Sequence, residues 1–205
     1  DGEKLFSIIL WGPPGSGKTT LARILINHSG YELFQISAIS SGIKDLREII
    51  DKSKVNKSMG KNSVLFIDEI HRFNKTQQDS LLNAIENGTL VLIGATTENP
   101  SFEIISPLLS RARVLRLNSL DIDDMNTIID KALNYDIVLS KKSYNLPEES
   151  RKFLITQSGG DARKLLNTLE IATNMMKDSE EISTDVLEES MQNKSLLYDK
   201  DGDYH

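Results

Sequence analysis

Nine consecutive residues carry the strongest chemical signal in this chain. Gly12-Pro13-Pro14-Gly15-Ser16-Gly17-Lys18-Thr19-Thr20 fits the spacing G-x-x-x-x-G-K-[ST], and it follows an apolar run and opens a helical pattern, the context such a loop requires. The glycines let successive backbone N–H groups turn inward on phosphate oxygens at the positive end of the helix beginning near Lys18. The Lys18 ammonium adds charge for terminal phosphates, and the Thr19 hydroxyl is suited to a magnesium ion. The ligand class this implies is a nucleoside triphosphate with Mg2+.

A second constellation lies one βα unit downstream. Ser63-Val64-Leu65-Phe66-Ile67-Asp68-Glu69 is an apolar strand ending in two acids, and in an open parallel sheet the carboxyl ends of the strands face the ligand crevice. Asp68 then faces the magnesium through water, and Glu69 polarises the attacking water as a general base. Gly94-Ala95-Thr96-Thr97 ends the next strand on the same side, where a threonine hydroxyl can hold the attacking water or sense the terminal phosphate. His71 and Arg72 are read as part of a solvated turn before a helix beginning near Asn74. Trp11, the only tryptophan, is read as core packing at a strand end.

The elements that must position these groups follow from the hydrophobic pattern. Leu5–Trp11, Glu32–Ala38, Ser63–Glu69, Leu90–Thr96 and Val114–Asn118 read as strands, near-continuously apolar as expected of parallel strands buried on both faces. Between them Lys18–His28, Ile43–Lys54, Lys75–Asn87 and Ile104–Arg111 read as helices, giving an α/β fold with a five-stranded doubly wound parallel sheet over residues 1–118. Beyond Asp121 strand signals cease and helix starts recur: Asp121 before Ile122–Leu133, Pro147-Glu148-Glu149 before Phe153, Asp161 before Leu165–Met176, and Thr184 before Val186–Met191. Residues 119–193 therefore read as a small α-helical domain, and the polar stretch 194–205 as a linker.

Composition narrows the class. Hydrophobic residues make up 39% and charged residues 26%, ordinary values for a globular protein, and no apolar run reaches the roughly 18 residues needed to cross a bilayer. Cysteine is absent, which removes disulfide and thiolate–zinc frameworks, and His28, His71 and His205 have no metal-ligand spacing. The net charge of -6 hides a gradient: residues 1–118 hold 14 basic against 12 acidic side chains, residues 119–205 hold 10 against 18. Any nucleic-acid contact thus falls to the first part. Lys44, Arg47, Lys52, Lys54, Lys57 and Lys61 are the candidates, although Asp45, Glu48 and Asp51 among them favour a solvated helix face.

Taken together, Ile8–Gly15, Phe66–Lys75, Gly94–Glu103, Leu108–Arg113 and Gly160–Arg163 resemble the AAA+ core of the replication-associated recombination protein A family, which includes the Werner-helicase-interacting ATPases. The resemblance spans essentially the whole chain and implies a P-loop NTPase of clamp-loader type, hydrolysing ATP at stalled forks, DNA ends or gaps. It implies roles residue by residue. Thr97 takes the sensor-1 position, with Asn99 the second choice; Arg111 is the arginine finger given to a neighbouring subunit; Arg163 is sensor 2 on a lid helix. The implied partners are ATP, DNA, replication or helicase proteins and further copies in a homo-oligomer, with no membrane. The implied compartment is the nucleus in a eukaryote and the cytoplasm in a bacterium. Family members also carry an amino-terminal segment over the adenine and a carboxyl-terminal assembly domain, both expected to lie outside these residues. Two rival readings are a nucleotide-gated scaffold with little turnover, which intact Glu69 and Arg111 disfavour, and another AAA+ motor such as a branch-migration helicase or an unfoldase. No aromatic pore loop of the unfoldase kind is evident between Ile39 and Lys61.

Overall fold

The computed structural model describes residues 5–136, 144–176 and 181–201, with side chains through Gln192. The chain divides into two compact units, Asp1–Asn118 and Ser119–His205.

In the first unit, strands β1 (Ile8–Trp11), β2 (Glu32–Ser37), β3 (Ser63–Asp68), β4 (Val91–Thr96) and β5 (Arg113–Arg116) form one sheet in the order β2-β3-β4-β1-β5, all pairs parallel. Helices α1 (Lys18–Ser29), α2 (Ile43–Ser58) and α3 (Lys75–Glu86) make the crossovers between β1 and β4. Alternate residues of the central strands feed two separate cores, because successive side chains leave opposite faces of a strand. Ile9, Leu65, Ile67 and Leu92 join Leu46, Ile49 and Leu81 on one face. Ile8, Leu10, Val64, Phe66 and Ile93 join Ala22 and Ile26 of α1 on the other.

Burial on both faces holds for β1, β3 and β4 but not for the edges: β5 is exposed along its length and β2 over half of it. On β5 the guanidinium of Arg113 sits 4.2 Å from the Phe6 ring centroid and that of Arg116 5.1 Å from the Trp11 ring centroid. Trp11 is thus half-buried under an arginine rather than enclosed in the core.

The helix expected over Ile104–Arg111 is instead two single turns, α4 (Pro100–Glu103) and α5 (Ser106–Leu109), separated by extended backbone at Ile104 and Ile105. Each turn carries a proline in its first two positions. A proline has no N–H to give the turn before it, so Pro107 can sit in the first turn of a helix but not inside one.

The second unit contains α6 (Ile122–Tyr135), α7 (Glu148–Ser158), α8 (Ala162–Met175) and α9 (Thr184–Asp201). Met125, Ile129, Leu154, Leu165, Leu169, Ile182 and Leu187 form its core. Asp121 caps α6 by accepting from Asp124 N at 2.8 Å, and Asp161 caps α8 by accepting from Lys164 N at 3.0 Å. Residues 194–201, read from sequence as linker, continue the helical backbone of α9; residues 202–205 lie outside the described residues. No helix among the described residues is long and apolar enough to cross a membrane.

Candidate functional site: a phosphate loop beside a strained glutamate

The carboxyl ends of β1, β3 and β4 lie side by side, with Trp11 paired to Thr96 and Ile67 to Gly94. This sets three segments from distant parts of the sequence along one edge of the sheet. From β1 the chain turns at Gly12, whose N–H donates to Thr96 O at 3.2 Å. A methyl group at Gly12 would run into the carbonyl of Leu117, so only glycine passes here. Gly17, at φ 88°, supplies the left-handed turn into α1 and offers no side-chain cap, which leaves the first N–H groups of a 12-residue helix turned toward the loop.

Within the loop, Ser16 is buried and its Oγ has no hydrogen-bond partner. Lys18 is 8% exposed and its ammonium donates to the carbonyls of Gly12 and Pro13, both at 2.8 Å. Thr19 is half-buried and Pro14 and Thr20 are exposed. An orphaned hydroxyl, an uncapped helix start and a buried ammonium together fit a polyphosphate. Thr19 and Asp68 are the oxygen donors that fit Mg2+, a hard cation.

On β3, Asp68 is half-buried, and Glu69 follows with φ 53° and ψ 45°, the only non-glycine residue with positive φ among the described residues. Left-handed backbone costs a residue with a Cβ on the order of 1 kcal/mol or more and is retained where surroundings over-determine it. Here it lifts Glu69 out of the strand direction into a 3-10 turn, Ile70–Arg72, whose ends are pinned by buried Ile70 and Phe73.

This turn overturns one expectation. His71 does not belong to a solvated surface: its side chain is 10% exposed, with Nδ1 2.9 Å from Thr96 Oγ1 and 3.2 Å from Glu69 Oε2. The second approach is not aligned as a hydrogen bond, so Glu69 Oε2 is buried without a hydrogen-bond partner. Arg72 is exposed, as a solvated turn requires. The apolar pair Ile70 and Phe73, three apart, was the sequence signal that this turn faces inward, since side chains three apart superpose in a 3-10 helix.

Of the two threonines, fully buried Thr96 is tied up: its hydroxyl accepts from Glu98 N at 3.0 Å. Thr97 is half-buried just past the strand end. Asn99 caps α4, its Oδ1 accepting from Ser101 N at 3.0 Å.

Arg111 follows α5 and is held within its own chain. Its guanidinium pairs with Glu86 at the end of α3 and donates to Pro107 O at 2.6 Å and Ser110 Oγ at 3.0 Å. Glu86 gave no such signal in sequence, because the pairing spans two elements. Arg163 is exposed at the second position of α8, in the helical unit.

The family model for the ATPase family associated with various cellular activities (AAA) matches residues 8–120, and the AAA C-terminal domain model matches residues 140–205. The chain belongs to the AAA family. As an AAA ATPase module it is 44% identical over 211 residues to the replication-associated recombination protein A of Escherichia coli K12, covering 97% of this chain and 46% of that protein. It is 42% identical over 220 residues to ATPase WRNIP1 of Dictyostelium discoideum, covering 98% of the chain and 25% of the relative. The module thus spans about half the length, or less, of these relatives. Among solved structures it is similar to the Thermotoga maritima RuvB Holliday junction branch migration motor, with TM-score 0.70 and 30% identity over 93% of this chain and 62% of that one.

Proposed function

We propose that this AAA module binds Mg-ATP and hydrolyses it within a protein that maintains DNA replication and recombination at stalled forks, ends or gaps. The observation that carries hydrolysis, rather than binding alone, is Glu69: a carboxylate aimed by strained backbone from the end of β3, with one oxygen enclosed beside His71 and the side chain still 31% exposed to meet a water. Gly12 to Thr20 enclose the phosphates, and Lys18 exchanges loop carbonyls for phosphate oxygens. Thr19 and Asp68 would hold a magnesium ion, which would supply charge neutralisation at the phosphates. Glu69 takes a proton from water as the water oxygen bonds the terminal phosphorus and the bridging oxygen leaves with ADP.

Thr97 senses the terminal phosphate at the β4 end. Arg111 serves a neighbouring copy's site, and Arg163 serves its own from a helical lid. The replication and recombination role is supported by likeness to the recombination protein A relatives; DNA and protein partners, a ring and a nuclear or bacterial cytoplasmic location belong to the same proposal. A branch-migration motor is the second reading, supported by likeness to RuvB, though that likeness is lower in sequence.

The test separates holding from hydrolysis. Lys18→Ala should abolish nucleotide binding; Glu69→Gln should bind ATP as the parent does and lose turnover by about 10²-fold or more. Hydrolysis at the parental rate in Glu69→Gln refutes the assignment of the base.

A further inference from the structure

We infer that His71 is a positioning residue for Glu69, linking the base to the end of β4 through a single N–H that two acceptors share. The inference rests on the reading of Glu69 as general base. His71 belongs to neither the phosphate loop nor the acid pair, yet its side chain is nearly as buried as Lys18 and its Nδ1 lies between Thr96 Oγ1, at 2.9 Å, and Glu69 Oε2, at 3.2 Å.

The neighbouring groups decide the tautomer. Thr96 Oγ1 already accepts from Glu98 N at 3.0 Å, and its own hydrogen has the Glu98 carbonyl as acceptor at 3.4 Å. A lone pair on Nδ1 would face the lone pairs of the Glu69 carboxylate. A proton on Nδ1 instead meets an acceptor on either side, and every group in the chain from Glu98 to Glu69 then has a role consistent with its chemistry.

One N–H and two acceptors make two arrangements. In the arrangement described, the bond goes to Thr96, and Oε2 is enclosed beside Nδ1 without a hydrogen bond, while the side chain as a whole is 31% exposed and Oε1 is the oxygen left for the water proton. With the bond turned to Oε2, the carboxylate is drawn toward the turn, and Oε1, the oxygen that should take that proton, is drawn with it. Which acceptor wins depends on where β4 ends, because Thr96 is its last residue and Thr97 the next. His71 thereby makes the readiness of the base depend on the strand end that faces the terminal phosphate. The left-handed backbone of Glu69 and the buried anchors Ile70 and Phe73 hold the turn steady enough for so small a shift to matter.

The experiment measures ATP affinity and turnover separately in the full chain, with Mg2+, for His71→Ala, His71→Asn and His71→Gln, with Glu69→Gln as control. Asparagine places an amide N–H near the site of Nδ1; glutamine places it nearer Nε2. His71→Ala should lower kcat by about 10²-fold, the order of loss that follows misplacement of a reacting group, with ATP affinity unchanged. His71→Asn should recover much of that loss and His71→Gln should not. Parental turnover in His71→Ala overturns the inference, as does a loss in which affinity falls with kcat and asparagine is no better than alanine. If alanine prevents folding, equal turnover in the asparagine and glutamine variants overturns it. Should Glu69→Gln itself hydrolyse ATP, the reading of the base fails instead, and that result is distinguishable because it does not involve His71.

Discussion

Arg111 shows why a side chain's identity and its resting partner must be weighed together. Its ion pair with Glu86 is partly exposed, 35% and 44% for the two side chains, and pairs of that kind contribute about 0–1 kcal/mol. An arginine finger contributes about 10³ to 10⁵ in rate, or roughly 4–7 kcal/mol. If Arg111 is such a finger, a pair this weak does not keep it from a neighbouring site. Glu86→Gln is accordingly expected to change steady-state turnover of the full chain by less than about tenfold, whereas Arg111→Ala should cost about 10³-fold or more. Comparable losses in the two variants would mean that Glu86 is itself needed to aim the guanidinium.

The break between α4 and α5 is the element on which that arginine depends, and one buried amide closes it. Gln78 of α3 is 1% exposed; its Nε2 donates to Phe73 O at 2.9 Å and to Glu103 O at 3.0 Å, while its Oε1 accepts from Ile105 N at 2.9 Å. Where prolines interrupt a helix, backbone groups lose their regular partners, and a buried group left unpaired costs about 1–3 kcal/mol. Gln78→Leu keeps the volume roughly constant but removes all three bonds, so it should destabilise the module by at least about 2 kcal/mol in denaturant unfolding. Gln78→Glu, which keeps an acceptor for Ile105 N but loses both donated bonds, should also be destabilising. A neutral Gln78→Leu would show that water satisfies the break equally well. Gln78 was invisible in the sequence reading because a polar residue within a helical pattern reads as surface.

For the whole molecule, the decisive question is whether the site is completed by a second copy. Lys18→Ala cannot hold nucleotide but still offers Arg111; Arg111→Ala has an intact phosphate loop but no arginine to give. If Arg111 acts on a neighbour, mixing the two inactive full-length proteins should restore part of the ATPase activity, measured alongside subunit exchange. Exchange without recovery would place Arg111's action within its own chain. The phosphate loop, the Asp68-Glu69 strand end, the parallel sheet and the helical character of the second unit could all be read from residue order, because each depends on local spacing: a glycine pattern, an apolar period, a cap before an amphipathic run. The structure divides the chain into compact units after Asn118. What needed the tertiary structure was pairing between residues far apart in the chain. His71 meets Thr96 across 25 positions, Gln78 meets Glu103 across 25, and Arg111 meets Glu86 from a different element. Such contacts leave no periodic trace, since polar side chains at the ends of strands and turns look alike in sequence whether water or another side chain satisfies them. The left-handed Glu69 belongs with them: local bonds from Glu69 N to Asp68 Oδ1 at 3.2 Å and from Arg72 N to Glu69 O at 2.8 Å close the turn, and the burial of Ile70 and Phe73 beneath it anchors that backbone to the core.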